Sequence, residues 1–149
     1  MVSRLSIINK LILISIAIVS LAEIKLPRFS PNLEKLSNIN DWEVLEILGG
    51  DRITVSSRNK ILTVALCSIA GNYFEKRDES KKYLESLIER GKLRISFLNE
   101  DDEIFYADVF VQLKPDYQKE IYLNKEMVER GMATINSPHL CPNTVFEAR

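Results

Sequence analysis

The sequence predicts an α+β fold: a small OB-like five-stranded β-barrel with packed α-helices, preceded by an N-terminal hydrophobic targeting segment. Three observations carry this expectation. Short runs rich in Val, Ile, Leu and Phe, punctuated by Gly-Gly-Asp, Arg-Asn-Lys and Pro-Asp turns, recur between residues 42 and 123 and read as strands. A helical period interrupts them, with Tyr83, Leu84, Leu87 and Ile88 on one face. Residues 123–135 then compress a strand end, a helix, a glycine stop and a new strand into thirteen positions.

Residues 1–22 read as a targeting segment. Arg4 and Lys10 lead an apolar run of 12 residues, 11–22, that ends in Ser20-Leu21-Ala22, the small residues a signal peptidase accepts. A bilayer-spanning helix takes about 20 residues, and lengthening the run towards Leu5 would bury Asn9 and Lys10. A cleaved export signal is therefore favoured over a retained anchor through residues 5–22. Either way the domain leaves the cytoplasm, for a periplasm, a lumen, the extracellular space or a membrane surface. Residues 23–40, with Pro27, Pro31 and several Ser and Asn, read as an extended tether, and the folded domain is expected over residues 41–149.

The elements follow in order. Trp42, Val44, Leu45, Ile47 and Leu48 form a first strand and Gly49-Gly50-Asp51 a tight turn. Residues 53–56 form a second strand, and Arg58-Asn59-Lys60 another turn. Residues 61–68 are continuously apolar enough to predict a third strand covered on both faces. Residues 69–74 read as a loop, after which Asp78 or Ser80 is placed to cap the helix that Gly91 ends. Residues 92–98 alternate Leu93, Ile95 and Phe97 with Lys92, Arg94 and Ser96, a strand with one wet face. Residues 99–103 form an acidic hairpin tip, 104–113 a long strand, 114–120 a turn on Pro115-Asp116, and 121–123 a short returning strand. Asn124 is placed to cap the next helix, Leu123, Met127 and Val128 share its face, and Gly131 stops it. Asn143 or Thr144 would cap a last short helix from Val145.

Composition bounds the function. At 149 residues, 46% apolar and 28% charged, the chain holds material for one ordinary domain. Residues 1–22 carry two of the 20 basic side chains and no acid, which leaves 18 basic against 21 acidic, a net charge of −3. Gripping a phosphate backbone by counterion release favours a basic excess, so nucleic acid is not the expected partner. Export gives Cys67 and Cys141 the opportunity to form a disulfide; the alternative is a buried Cys67 on a strand and an unrelated Cys141 in a loop.

Several strings, taken in order, point to a family. They are Gly50-Asp51 after the first strand, Ala107-Asp108-Val109-Phe110-Val111 in the long strand, Leu123-Asn124-x-x-Met127-Val128-x-x-Gly131-Met132-Ala133, and Cys141-Pro142-Asn143. From residue 41 onward the chain resembles the staphylococcal nuclease (thermonuclease) family. The resemblance implies phosphodiester hydrolysis with a calcium ion held by two aspartates, a glutamate that activates water and two arginines that neutralise the phosphate. Hard cations take carboxylate oxygens, and guanidinium groups meet the charge that builds at phosphorus.

Carried over by position, most of those groups are missing. Asp51 stands at one calcium-binding aspartate, with Arg52 in place of a small hydroxyl. Aligned on Cys67, Val64, Ile69, Gly71 and Asn72 fall at the Arg, Asp, Pro and Glu positions; a shift of one gives Thr63, Ser68, Ala70 and Gly71. Phe105 stands at the second arginine. Losing one preorganised donor alone costs about 100-fold or more, so family-type catalysis is not expected, nor is any cofactor beyond calcium in a chain that stays active.

The remaining candidates have plain alternatives. Asp51 is a weak metal ligand or a turn residue satisfying its own backbone, and the second is favoured. His139 beside Cys141 is favoured as a loop residue over a ligand, and Glu100 to Glu103 as a solvated tip over a cation site. Tyr73 and Phe74 offer a binding platform or a cover for the barrel mouth. Arg58, Lys60, Glu75, Lys76 and Arg77 lie near enough in sequence to have migrated into catalytic positions, which is the weaker reading. The leading expectation is an exported or membrane-tethered non-catalytic binding or structural module for an unidentified protein partner. Its alternatives are a weak or altered calcium-dependent nuclease and an accessory subunit of a membrane complex.

Overall fold

The computed structural model describes residues 31–71, 75–136 and 141. Residues 1–22, His139 and the short helix expected after Val145 lie outside the described residues.

The first described element corrects the tether. Helix α1, Pro31–Ser37, opens on proline, which has no amide proton to leave unpaired in a first turn. Leu33 and Leu36, three residues apart, fall on one face and are 3% and 4% exposed against the core. Two leucines at helical spacing outweigh the Pro- and Ser-rich composition around them.

The sheet is built from β1 (Glu43–Gly49), β2 (Arg52–Ser57), β3 (Lys60–Leu66), β5 (Gly91–Asp101), β6 (Ile104–Leu113) and β7 (Glu120–Tyr122). Its order is β1-β2-β3-β6-β5, with β7 added to β6. All pairs are antiparallel except β3 with β6, so the sheet is mixed. One edge of β6 pairs with β5 along its whole length; the other serves β3 from Ile104 to Ala107 and β7 from Phe110 to Gln112. The sheet curls into a half-barrel consistent with an OB-like fold, and an isolated antiparallel bridge between Trp42 and Leu93 joins its two ends. Trp42 thus precedes β1 rather than belonging to it. Along the free edge of β5, the Phe97 amide donates to Ser37 Oγ at 2.9 Å, so α1 satisfies a backbone group that a neighbouring strand would otherwise take.

Helix α2, Arg77–Ile88, packs Leu84 and Leu87 inward. Neither Asp78 nor Ser80 caps it: the preceding residue is Lys76, and Ser80 is fully buried, donating instead to the Met132 carbonyl at 2.6 Å. The third strand departs from the expectation of two covered faces. Ile61 is 69% exposed, and only Val64, Ala65 and Leu66 at the end of β3 are buried. Residues 69–71, expected as loop, form β4 (Ile69–Gly71), which pairs with β8 (Ala133–Ile135) in a separate two-stranded ladder. At the acidic hairpin tip, Asp102 and Glu103 take φ of 45° and 65°, the left-handed pair that a two-residue turn between twisted strands needs.

Helix α3, Leu123–Glu129, follows β7 directly and buries Leu123 and Met127. Gly131 ends the segment at φ 67° with open space around it, so its conformation rather than its size is the requirement. Among the described residues no helix is long and apolar enough to cross a membrane.

Candidate functional site

The site is assembled where β3 and β6 part. Their pairing ends at Leu66 and Ala107, with one further bond from the Cys67 amide to the Ala107 carbonyl at 2.9 Å. Beyond it the strands diverge and leave backbone groups facing a gap. Asn124 fills that gap. Its Nδ2 donates to the Cys67 and Ala107 carbonyls at 3.0 and 3.1 Å, and its Oδ1 accepts from the Val109 amide at 3.0 Å. Asn124 is therefore a fully buried tie between two strands and a helix, not the cap expected from its position, and Tyr122 precedes the helix.

Past Cys67 the chain turns at Ser68, a non-glycine residue at φ 61°, and enters β4. Cys67 is bonded to Cys141 with their Cα atoms 5.8 Å apart, and this joins the end of β3 to the segment beyond β8. The turn and the β4–β8 ladder overhang the outer face of the sheet, forming a pocket of about 260 Å³. Asp51 and Arg52 enter it from the β1–β2 turn, Ala65 and Leu66 from β3, and Tyr106 from β6. Ser68, Ile69, Ala70 and Asn136 close the opposite wall.

Gly50 lets this turn sit close to α2 and α3: a Cβ there would meet the Ser80 Cβ at 2.6 Å. Asp51 is 6% exposed, its main-chain carbonyl accepts from Leu66 at 2.8 Å, and its carboxylate lies against Gly71. A Cβ at Gly71 would come within 2.8 Å of Asp51 Oδ1, so in the shifted register there is no room for a glutamate at that position.

The positions named in the sequence comparison divide between two faces. Val64 is fully buried in the core, and Phe105 packs edge-on against Phe97 with ring centroids 5.8 Å apart. Strand alternation turns both inward, while their neighbours Ala65 and Tyr106 line the pocket. Ile69 and Asp51 do reach the pocket; Asn72, Tyr73 and Phe74 lie outside the described residues. Tyr106 and Asn136 are pocket residues that the sequence did not single out, and Arg52 and Ser68 were named there only as positions that fail a motif.

Among the described residues the pocket offers the Asp51 carboxylate, the Arg52 guanidinium, the Ser68 and Tyr106 hydroxyls and the Asn136 carboxamide. No His or Lys among the described residues lines it. Among the described residues no three His, Cys, Asp or Glu side chains come together as a metal site. Arg52 Nε and Ser68 Oγ are buried without a hydrogen-bond partner.

Two other regions carry charge. A hollow of about 530 Å³ at the Trp42–Leu93 seam is framed by exposed Asp41, Glu43, Lys92 and Lys114. On the outer face of β5, β6 and β7, Arg94 pairs with Glu120 through two bonds of 2.7 and 2.6 Å and lies 4.0 Å from the Phe110 ring centroid. Phe110 in turn stacks on Tyr122 at 4.8 Å, and the Tyr122 hydroxyl donates to Asp108 at 2.7 Å. Burial pushes the Asp108 carboxyl above its ordinary range, against the pull of Tyr122 and Arg94. Burial, then the neighbouring Asp108, also raises the Tyr122 hydroxyl, whereas Arg94 holds Glu120 below its ordinary value. These groups satisfy one another across the strands as a sheet-stabilising ladder.

Compared with models of known protein families and with curated proteins, the chain matches none.

Proposed function

We propose that this chain is an exported or membrane-tethered domain on a nuclease-like OB barrel that performs no phosphodiester hydrolysis and serves as a binding or structural module. One observation carries the reading: among the described residues the pocket beside Asp51 has no second carboxylate, and Val64 and Phe105 are turned into the core. A calcium ion takes 6 to 8 oxygen ligands, and a single carboxylate is a poor start towards them. The resemblance to staphylococcal nucleases supports the scaffold through Gly50, Asn124 and Gly131, which here serve close packing, strand tying and helix termination. The apolar leader and the Cys67–Cys141 bond both suit an oxidising compartment outside the cytoplasm.

The test is an assay of the purified protein on single-stranded DNA with millimolar calcium. No cleavage above buffer is expected, and the melting temperature should not move with calcium, because a ligand that binds the native state raises it. Cleavage that disappears in Asp51→Ala overturns the reading in favour of a weak nuclease.

A further inference from the structure

The pocket beside Asp51 contains two hydrogen-bond donors that the protein leaves unmet. Arg52 Nε and Ser68 Oγ are both buried, neither has a partner, and both residues line the same hollow. Ser68 is 1% exposed and is also held in the left-handed region, a conformation that persists in a non-glycine residue only when its surroundings impose it. Natural folds pair nearly all their buried donors, so two orphans among the residues of one hollow describe a place for an acceptor atom brought from outside.

Charge narrows the acceptor. Among the described residues, Asp51 and Arg52 are the charged ones lining the pocket, one of each sign. A phosphate or carboxylate would set a second negative charge beside Asp51, and a cation would face Arg52. A neutral group that both accepts and donates meets neither obstacle. The rest of the wall, including Ala65, Ile69 and Ala70, suits a short carbon frame. The volume of about 260 Å³ corresponds to roughly nine waters at their liquid density, which admits a side chain or a stretch of main chain.

We infer that this pocket binds a neutral carboxamide presented by a peptide, an Asn or Gln side chain or a main-chain amide. Its oxygen accepts from Arg52 Nε and Ser68 Oγ, and its N–H donates to the Asp51 carboxylate. The inference rests on the non-catalytic reading above and names what that module holds.

The experiment follows the backbone amides of Ile69 and Ala70 by NMR in the full-length protein. The probes are N-acetylglycinamide, with about as many non-hydrogen atoms as the pocket has water volumes, N-acetylglycine and inorganic phosphate. A saturable shift with N-acetylglycinamide is expected, weakened about tenfold in Ser68→Ala and in Arg52→Gln, each variant retaining the parent's dispersed spectrum. No saturable shift with N-acetylglycinamide overturns the proposal, as does equal or tighter binding of N-acetylglycine or phosphate. Unchanged affinity in both variants overturns it too. Calcium-dependent DNA cleavage in the same sample would instead remove the reading on which the inference rests, so the two failures are told apart.

Discussion

Burial acts on Asp108 in the opposite sense to the ion pairs around it. Its carboxyl is raised above the ordinary value of 3.8, chiefly by burial, while Glu120 and Glu126 are lowered from 4.5 by hydrogen bonds from Arg94 and Tyr83 respectively. The signs differ accordingly. The two glutamates contribute stability above their unfolded values and lose it on acidification; a raised aspartate favours the folded state while protonated and weighs against it as pH climbs past 3.8. Asp108→Asn keeps an oxygen for the Tyr122 hydroxyl and removes the buried charge. We therefore expect a higher urea midpoint than the parent at pH 7, with the gap closing as pH falls towards 3.8. A midpoint equal to or below the parent's at pH 7 contradicts this account. At the same scale, alternation made the inward-facing Leu93, Ile95 and Phe97 legible, but not the role of Asn124. An Asx residue at a helix start has the same local signature whether it caps or ties. What decides between them, the Cys67 carbonyl, is 57 residues away.

At the scale of elements, strong periods were readable and short ones were not. Helix α2 announced itself through Tyr83, Leu84, Leu87 and Ile88, and β5 through alternation, because each repeats its signal over several turns or pleats. Helix α1 has 7 residues and only Leu33 and Leu36 to mark its face, so its existence depends on β5, against which it packs. The pocket was hidden for a similar reason: β4 and β8 are 3 residues each and form a wall only by pairing across the chain. The tertiary role of α1 is testable. Leu36→Ala should lose about 2–4 kcal/mol, the range for truncating a buried leucine. Ser37→Ala should lose about 1–2 kcal/mol by stranding the Phe97 amide on the edge of β5. Urea denaturation measures both, and native-state hydrogen exchange should show the Phe97 amide losing protection in Ser37→Ala. If residues 31–37 were an independent tether, neither variant would change the unfolding midpoint.

For the whole molecule, the point of weakness is the parting of β3 from β6, and two devices meet there. Asn124 rebuilds the interrupted hydrogen bonding from within, and the Cys67–Cys141 bond ties the same point to the far end of the described chain, across a sequence separation of 74. A cross-link of that span acts mostly on the unfolded ensemble. With the usual loop-entropy relation the restriction is worth about 4.5 kcal/mol at 25 °C, as much as a marginal domain's whole stability. Reduction should therefore lower the melting temperature markedly, and Cys67→Ser/Cys141→Ser should match the reduced parent without responding to reductant. The loss should appear mainly as a lower midpoint at nearly constant dependence on urea, with any rise in that dependence reporting a more expanded unfolded chain. A reduced protein that melts with the oxidised one would mean that Asn124 and the core alone hold the divergent strands, and that the disulfide restrains a segment contributing nothing to cooperative unfolding.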